Sequence, residues 1–169
     1  LFLSPEMKST GEVIGFDYNL GSAYAKATLG AGSKLPVKGT VFMSVNETDK
    51  MDIIPIARDF QEFGFNILAT GGTAKILIDN GVKVTEIYKV GEGRPNVVDA
   101  IKNKEVDLVI NTPLGKQSRF DEYEIGKAAI KYKITAITTI QGAQAAVRAV
   151  RNIKFGKLNY QSLQDIFGA

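Results

Sequence analysis

Five short segments rich in Val, Ile, Thr and Phe alternate with longer helix-like segments between residues 40 and 151. Several of the five are apolar at almost every position, which is typical of strands buried on both faces of a parallel sheet. Strands alternating with helices predict an α/β fold whose sheet is covered on both sides. The predicted strands are TVFMSV (40–45), FNILAT (65–70), KVTEIY (83–88), DLVINT (107–112) and TAITTI (135–140).

The intervening segments carry apolar residues at helical spacing. The clearest is KMDIIPIARDFQEFG (50–64), where Ile53, Ala57 and Phe60 share a face and Gly64 is a predicted stop. Near the amino terminus, residues 20–29 predict one short helix that is followed by a Gly/Pro-punctuated linker ending near residue 39. The remaining predicted helices are 73–80, 95–103, 121–132, 142–151, and a terminal helix around 160–167 that packs Leu163, Ile166 and Phe167 on the domain.

Length and charge limit the class of protein. A chain of 169 residues that is 44% hydrophobic can form one globular domain with a sizeable core. The net charge is +3, but the basic residues are scattered among acidic ones, which argues against a nucleic-acid partner and permits a small anionic ligand. No apolar run is long enough to cross a bilayer, and the first residues lack the pattern of a signal peptide. We therefore expect a cytoplasmic protein without a membrane partner.

The chain contains neither cysteine nor histidine. The absence of cysteine excludes a disulfide framework, a thiolate nucleophile and cysteine-ligated zinc. The absence of histidine removes the commonest general base and metal ligand. Any catalysis by these residues would have to use carboxylates, lysine, tyrosine or a hydroxyl group.

Polar groups follow every predicted strand. In a doubly wound sheet, ligands bind outside the carboxyl ends of the strands, near the point where the winding changes direction. Because parallel strands end at the same edge, the hydroxyl, amide and cationic groups that follow them are expected to converge there. These strand ends are Ser44-Val45-Asn46, Thr70-Gly71-Gly72-Thr73, KVGEGR (89–94), Asn111-Thr112-Pro113 and Thr138-Thr139.

The second strand end, in ILATGGTAKILIDNG (67–81), has the features of an anion site. Its two glycines would let the backbone approach a phosphate, and the N–H groups of the next helix would point at it. The residues alone leave a second interpretation open, in which the glycines form an ordinary tight turn and the lysines are solvated. The candidate hydroxyl and cationic groups are Thr70, Thr73, Lys50, Lys89 and Arg94.

Longer motifs carry a family resemblance that covers most of the chain. The segment SPEMKSTGEVIG (4–15) resembles the end of the second synthetase half of the carbamoyl-phosphate synthase large chain. The rest resembles the C-terminal allosteric domain of that enzyme, which is methylglyoxal-synthase-like. The matching motifs are FMSVNETDK, LATGGTAKIL, YKVGEGRPNVVDAIKN, DLVINTPLGKQSRFDEYEIGKAAI and TTIQGAQAAV.

The resemblance implies a doubly wound, five-stranded parallel sheet in a flavodoxin-like three-layer arrangement. It also implies two parts: residues 1–39 as the end of the ATP-binding half with a linker, and residues 40–169 as the allosteric domain. Because the first part would have lost its partners, we expect it to be poorly ordered or packed against another copy. A second copy of the chain, in a homo-oligomer, is therefore one possible partner.

The implied parent enzyme uses ATP, with Mg or Mn, to make carbamoyl phosphate from bicarbonate and glutamine-derived ammonia. A separate glutaminase small subunit supplies the ammonia, and the product feeds pyrimidine and arginine synthesis. In bacterial members the allosteric domain binds UMP as inhibitor and IMP as activator. The resemblance thus implies a chain that is not itself catalytic and holds no cofactor.

The resemblance also implies an effector site. The phosphate of the nucleotide is expected to meet Lys50, Thr70, Gly72, Thr73 and Lys89. Pro113 replaces a threonine found in some members, which leaves open the preference between UMP and IMP. The ribose and base are expected toward Ser44, Val90, Asn111 and Thr112.

The alternative is a lyase of the methylglyoxal synthase type, acting on dihydroxyacetone phosphate. That family needs a histidine and catalytic aspartates, whereas Arg94 and Thr112 align with the expected aspartates and no histidine is present. The sequence therefore predicts that no carboxylate base lies near the phosphate pocket, and catalysis is not expected. Two further relatives, a bifunctional enzyme of late purine synthesis and the urea-cycle synthases that bind N-acetylglutamate, fit the motifs less well.

Overall fold

The computed structural model describes residues 11–112, 119–162 and 164–165. These residues form a five-stranded, all-parallel sheet with the order β3-β2-β1-β4-β5. The predicted fold class and the five predicted strands are confirmed. The strands are β1 (Thr40–Val45), β2 (Asn66–Thr70), β3 (Thr85–Ile87), β4 (Leu108–Thr112) and β5 (Thr135–Ile137).

Strands β2 and β4 each begin one residue later than predicted, and β3 and β5 are each three residues shorter. Next to β3 and β5, a side chain binds a backbone N–H group. Before β3, the backbone N–H of Lys83 donates to Oε1 of Gln61 at 2.7 Å, so residue 83 is held by the end of a helix instead of the sheet. After β5, Oγ1 of Thr139 accepts from the N–H of Gly142 at 3.1 Å and caps the next helix. Such local side-chain hydrogen bonds compete with the strand ladder.

Six α-helices with defined bounds lie between residues 20 and 155, and the predicted helices between residues 20 and 151 are all present. None of these six helices is long and apolar enough to cross a membrane. The predicted packing of Leu163, Ile166 and Phe167 lies outside the described residues. The helices are α1 (Leu20–Gly30), α2 (Lys50–Glu62), α3 (Gly71–Asp79), α4 (Val97–Lys102), α5 (Arg119–Tyr132) and α6 (Ile140–Phe155).

The order of the strands fixes where a ligand can bind. The chain winds outward from β1 through β2 to β3, and then crosses back to β4 on the other side of β1. The winding therefore changes direction between β1 and β4, where Ser44 pairs with Asn111 and Val45 with Thr112. The flavodoxin order is 2-1-3-4-5, so the likeness to flavodoxin extends to the three layers but not to the strand order.

Apolar cores fill both sides of the sheet. Val41 and Met43 of β1 belong to the cluster that packs under α2, α3 and α6, whereas Phe42 belongs to the cluster under α4 and α5. All three side chains are fully buried. The alternation of side chains along one strand thus supplies both cores, as expected for a sheet covered on two faces.

Helix α1 packs on α6 of the same chain. A Cβ atom on Gly21 would lie 2.6 Å from the carbonyl oxygen of Arg148, so this glycine allows the two helices to approach closely. Nδ2 of Asn152 in α6 donates to Oδ1 of Asn19, the residue that caps α1. The expectation that residues 1–39 would be poorly ordered or packed on another copy is therefore wrong for residues 20–30. The domain boundary near residue 39 stays a prediction.

Candidate functional site

A cavity of about 460 Å³ opens at the carboxyl edge of the sheet, beside the point where the winding changes direction. This volume lies within the roughly 300–1,000 Å³ that is usual for small-molecule sites. Arg94 does not line the cavity, because its side chain is 80% exposed and lies 3.8 Å from the carboxylate of Asp99. All nine residues predicted for the effector do line it: Ser44, Lys50, Thr70, Gly72, Thr73, Lys89, Val90, Asn111 and Thr112.

The amino terminus of α3 faces this cavity. Thr70 is extended and precedes Gly71, the first helical residue, and no described side chain caps the helix. The helix thus begins two residues earlier than predicted, and its two glycines lie in the first turn instead of a loop. The first N–H groups of a helix have no partner within it, and they carry the positive end of its dipole.

The ammonium group of Lys50 lies over this turn. A Cβ atom on Gly72 would be 3.1 Å from Nζ of Lys50, so the absence of a side chain at position 72 leaves room for the ammonium group. Gly72 does not have a positive φ, and its role therefore does not depend on left-handed backbone geometry. A helix terminus and a cation converge on one volume, which is an arrangement suited to a phosphate.

The two threonine hydroxyls bind the end of β1. Oγ1 of Thr73 accepts from the N–H of Val45 at 3.0 Å, and Oγ1 of Thr70 donates to Oγ of Ser44 at 2.9 Å. Both threonines are only 2% exposed. A hydroxyl group can donate one hydrogen bond and accept others, so Ser44 keeps hydrogen-bonding capacity beyond its bond to Thr70. The threonines therefore hold α3 against β1, and Ser44 offers a hydroxyl group at the cavity wall.

Asn46 joins the ends of β1 and β4. It belongs to the first predicted strand end, but it was not among the nine residues predicted for the effector. Its Nδ2 donates to the carbonyl oxygen of Thr112 at 3.1 Å and to Oδ2 of Asp49 at 2.7 Å. Its backbone N–H also donates to the carbonyl oxygen of Thr112 at 3.1 Å. Asn46 lines the cavity, and its side chain caps the short 3₁₀ turn at Glu47–Asp49. An asparagine just before a helical turn is the sequence signal of such a cap.

Both cations of the cavity have an acidic neighbour. Lys50 pairs with Glu47, whose side chain is 84% exposed. Nζ of Lys89 lies 3.8 Å from the carboxylate of Glu92, and both of these side chains are about half exposed. A pair that is exposed on both sides, such as Lys89–Glu92, contributes little to stability. A bound anion could therefore replace Glu92 as the partner of Lys89 at small cost, whereas the side chain of Lys50 is only 19% exposed.

Three carboxylates line the cavity: Glu47, Asp121 and Glu122. The prediction that no carboxylate lies near the phosphate pocket is therefore wrong. Burial raises the pKa of Asp121, the charge of Lys89 opposes this change, and the charge of Glu92 adds to it. Sequence reasoning compared only the strand ends, whereas Asp121 and Glu122 belong to the first turn of α5. A helix that starts just after a strand places its first turn at the same edge, which is the signal that could have identified them.

The fold and the site together define a doubly wound α/β domain with an anion-type cavity at its switch point. A family model described as an MGS-like domain matches residues 52–138, and the chain belongs to this family. The crystal structure of methylglyoxal synthase from Elizabethkingia anophelis NUHP1 has the same fold. The two structures align with a TM-score of 0.52 and 18% identity, over 67% of this chain and 79% of the other.

Curated relatives at higher identity are carbamoyl phosphate synthase large chains. The large chain of Archaeoglobus fulgidus is 53% identical over 164 residues, which are 96% of this chain and 15% of that protein. The C-terminal section of the large chain of Methanopyrus kandleri is 50% identical over 165 residues, which are 97% of this chain and 30% of that protein. The chain thus spans less than a third of the length of either relative.

Proposed function

We propose that this chain is the regulatory domain of a carbamoyl-phosphate synthase large chain and binds a nucleoside monophosphate at the carboxyl edge of its sheet. The observation that supports this most is the position of the Lys50 ammonium group over Gly72 at the uncapped start of α3. The phosphate is proposed to bind there, with Lys89 as a second cation. The ribose and base extend toward Ser44, Val90, Asn111 and Thr112, which line the rest of the cavity.

The proposed domain acts by sensing. An effector changes activity only through a difference in its affinity for two states of the protein. UMP is proposed to favour a less active state of the synthetase and IMP a more active one. The proposed parent enzyme is cytoplasmic and uses ATP and a glutaminase subunit to make carbamoyl phosphate for pyrimidine and arginine synthesis. This chain is proposed to need no cofactor of its own.

Binding of UMP and IMP tests the proposal directly. A ligand that binds the folded chain raises its apparent stability by mass action. We expect UMP or IMP at millimolar concentration to raise the midpoint of thermal unfolding and to release or absorb heat in calorimetry. Inorganic phosphate and N-acetylglutamate serve as comparison ligands. If neither nucleotide binds at millimolar concentration, the chain is not a nucleotide sensor.

Lys89→Ala tests the placement of the phosphate. The side chain of Lys89 is 47% exposed and its ion pair with Glu92 is long, so its removal should leave the fold intact. We expect nucleotide affinity to fall by roughly ten- to a hundredfold, because a hydrogen bond to a charged group contributes roughly 1.5–3 kcal/mol. Lys83→Ala is the matched control, since Lys83 is exposed and does not line the cavity. Equal affinities of the two variants would place the phosphate elsewhere.

The carboxylates of the cavity favour one second candidate, a lyase acting on dihydroxyacetone phosphate. Asp121 has a raised pKa and faces the same cavity as the lysines, so it could abstract a proton next to a carbonyl group. Loss of phosphate from the resulting enediolate would leave the enol of methylglyoxal, which becomes methylglyoxal when its terminal carbon takes up a proton and the enol oxygen loses one. Incubation of the chain with dihydroxyacetone phosphate, with release of inorganic phosphate as the signal, tests this candidate. Release that disappears in Asp121→Asn would establish it.

A further inference from the structure

A second cavity, of about 320 Å³, lies at the amino edge of the sheet, at the opposite end of the strands from the proposed effector site. We call it the amino-edge cleft. It opens where β4 and β5 begin and where α4 and α5 end. Oγ1 of Thr135 donates to the carbonyl oxygen of Lys34 at 2.8 Å, which holds the segment before β1 against one wall. Three lysines from three different segments line the cleft: Lys34, Lys104 and Lys133.

Two of these lysines occupy an unusual position at the end of a helix. Helices α1 to α5 end with the same motif, in which a residue with a positive φ donates its N–H to the carbonyl oxygen three residues earlier. The next residue donates to the carbonyl oxygen five residues earlier. Glycine is the usual residue with the positive φ in this motif. It is glycine at the ends of α1, α2 and α3, but lysine at the ends of α4 and α5: Gly32, Gly64, Gly81, Lys104 and Lys133.

The helices alone do not explain the two lysines. A left-handed backbone is unfavourable for a residue with a Cβ atom, and φ is 60° at Lys104 and 56° at Lys133. A lysine near the carboxyl end of a helix interacts favourably with the helix dipole, but the same gain is open to α1, α2 and α3, which have glycine there. Among the described residues, no other non-glycine residue has a positive φ, and both lysines line one cleft. Unfavourable backbone conformations often persist where they serve a binding site.

The cleft has an excess of positive charge. Among the described residues, no ion pair joins Lys34, Lys104 or Lys133 to a carboxylate. Asp107 also lines the cleft, but its Oδ2 accepts from the N–H of Thr40 at 2.8 Å and so fastens the start of β1. Three positive charges and one negative charge leave two positive charges unmatched, which complements a dianion.

The lining also indicates the kind of dianion. Arginine, whose planar fork suits a carboxylate, is absent from the described residues of the lining. Lysine binds phosphate as a point charge and needs no fixed geometry. Ile101, Val106 and Ile134 give the cleft an apolar wall, which suits a short carbon chain. The volume is near the lower end of the roughly 300–1,000 Å³ of small-molecule sites, so the ligand is small.

We propose that the amino-edge cleft binds a small phosphomonoester. Its dianionic phosphate group lies between the ammonium groups of Lys34, Lys104 and Lys133, and its carbon atoms contact the apolar wall. The cleft shares no described lining residue with the proposed effector site. It is therefore a separate site, and it does not rest on the function proposed above.

A site-resolved NMR titration of the isotopically labelled chain with glycerol 3-phosphate is the first test. At constant ionic strength, we expect the amide signals of Lys104, Val106 and Lys133 to shift and to saturate in the millimolar range. The signals of Gly71 and Gly72 report separately on the effector cavity, so failure of one proposal is distinguishable from failure of the other. Succinate, a dicarboxylate of the same charge, should bind about tenfold more weakly. Shifts at the cleft that are absent or do not saturate overturn the proposal, as does equal binding of succinate.

Lys104→Gly and Lys133→Gly separate a role in binding from a role at the helix ends. Glycine adopts the positive φ without steric strain, so we expect each variant to be at least as stable as the wild type in urea unfolding. Each should bind glycerol 3-phosphate about tenfold more weakly, because an ammonium group is lost. Lys102→Ala is the matched control, since Lys102 is exposed in the last turn of α4 and does not line the cleft.

The control should bind glycerol 3-phosphate as the wild type does. Equal weakening by Lys102→Ala would mean that the net charge of the chain, and not the cleft, attracts the ligand. Wild-type affinity in both glycine variants would place the phosphate elsewhere. Lower stability of both glycine variants would show that the two lysines serve the helix ends. Each of these three outcomes overturns the proposal.

Discussion

Gly72 has a role that neither helix propensity nor turn geometry explains. It lies in the first turn of α3, its φ is not in the left-handed region, and Nζ of Lys50 occupies the space next to it. A methyl group at this position would press against the ammonium group, which would have to shift by a few tenths of an ångström. The site therefore depends on the absence of a side chain at position 72 as much as on the charge of Lys50.

Gly72→Ala is expected to weaken nucleotide binding without unfolding the chain. The new Cβ would lie 3.1 Å from Nζ of Lys50, so the ammonium group would have to move by a few tenths of an ångström. A weaker bond to a charged group predicts an affinity that is lower by at most about tenfold, measured by calorimetry with UMP and IMP. The control is Gly71→Ala, whose Cβ would make an ordinary 3.5 Å contact with Glu86. Unchanged affinity in Gly72→Ala would show that Lys50 does not bind the phosphate from this position.

Asp121 makes the stability of the chain depend on pH. Burial raises its pKa in the folded chain above the ordinary value of 3.8, so the folded state holds this proton more tightly than the unfolded state. Its contribution to stability is therefore greatest below pH 3.8 and is lost as the pH rises through the raised pKa. We expect Asp121→Asn to be more stable than the wild type at pH 7 and to lose this advantage in acid.

Urea unfolding of Asp121→Asn and the wild type across this pH range measures the difference. Glu105→Gln is the control, because Glu105 is exposed and does not line the cavity. If Asp121→Asn is more stable than the wild type by the same amount at every pH, the Asp121 carboxyl has the same pKa in the folded and unfolded chains.

The elements of this fold follow from the sequence except where side chains cap them. Strand β1 has the predicted bounds and β4 begins one residue later than predicted, because apolar runs in a buried parallel sheet end where polar residues begin. Strands β3 and β5 were predicted too long, because the side chains of Gln61 and Thr139 bind backbone N–H groups next to them. A periodic pattern of apolar residues does not reveal such bonds. Helix α4 was predicted to begin at residue 95, and it begins at Val97 because Asn96 caps it.

Asn96→Ala is expected to destabilise the chain by about 1 kcal/mol. Its side chain accepts from the N–H groups of Val98 and Asp99, and Asp99 accepts in return from the N–H of Asn96. Asn96 is 8% exposed, so water cannot fully replace these bonds. Urea unfolding measures the change, with Asn103→Ala at the exposed end of α4 as the control. Equal stability of the two variants would show that the capping box contributes nothing.

The composition of the site was predictable to the extent that it depends on strand ends. Parallel strands must end at one edge, so the polar groups at the strand ends were expected together. The family resemblance implied the set of nine, including Lys50 at the start of α2, and all nine line the cavity. The carboxylates of α5 were missed because their position depends on how that helix packs over the sheet, which strand periodicity does not determine. Arg94 was considered because it is close in sequence to Lys89, but its side chain points to solvent near Asp99.

At the scale of the whole molecule, α1 packs on α6, and the domain boundary after α1 stays a prediction. Gly21, Ser22 and Ala25 are buried, and α1 is stacked on α6, which in turn covers the sheet. The apolar pattern of α1 is weak because small residues, not large ones, form this contact. Periodicity of large apolar residues therefore underestimated how firmly the helix packs.

Gly21→Val tests whether this packing stabilises the whole chain. Its Cβ would lie 2.6 Å from the carbonyl oxygen of Arg148, so α1 would have to move away from α6. Overpacking of this kind costs about 1–3 kcal/mol, which urea unfolding would detect. Gly30→Ala is the control, since its Cβ would meet only Val13 at 3.6 Å. If the Gly21→Val variant is as stable as the wild type, α1 is an appendage, and the boundary near residue 39 is supported.

The residues that line the cavity fall into two groups, which differ in how freely they can be substituted. Asn46, Thr70 and Thr73 form the first group. These three residues fasten β1 to β4 and α3, and they do so with groups that a ligand need not touch. The rim, which includes Lys89, Val90 and the first turn of α5, has no comparable fastening among the described residues. A domain built in this way can acquire a new ligand by substitutions at the rim alone, which makes it a suitable scaffold for engineered biosensors of phosphorylated metabolites.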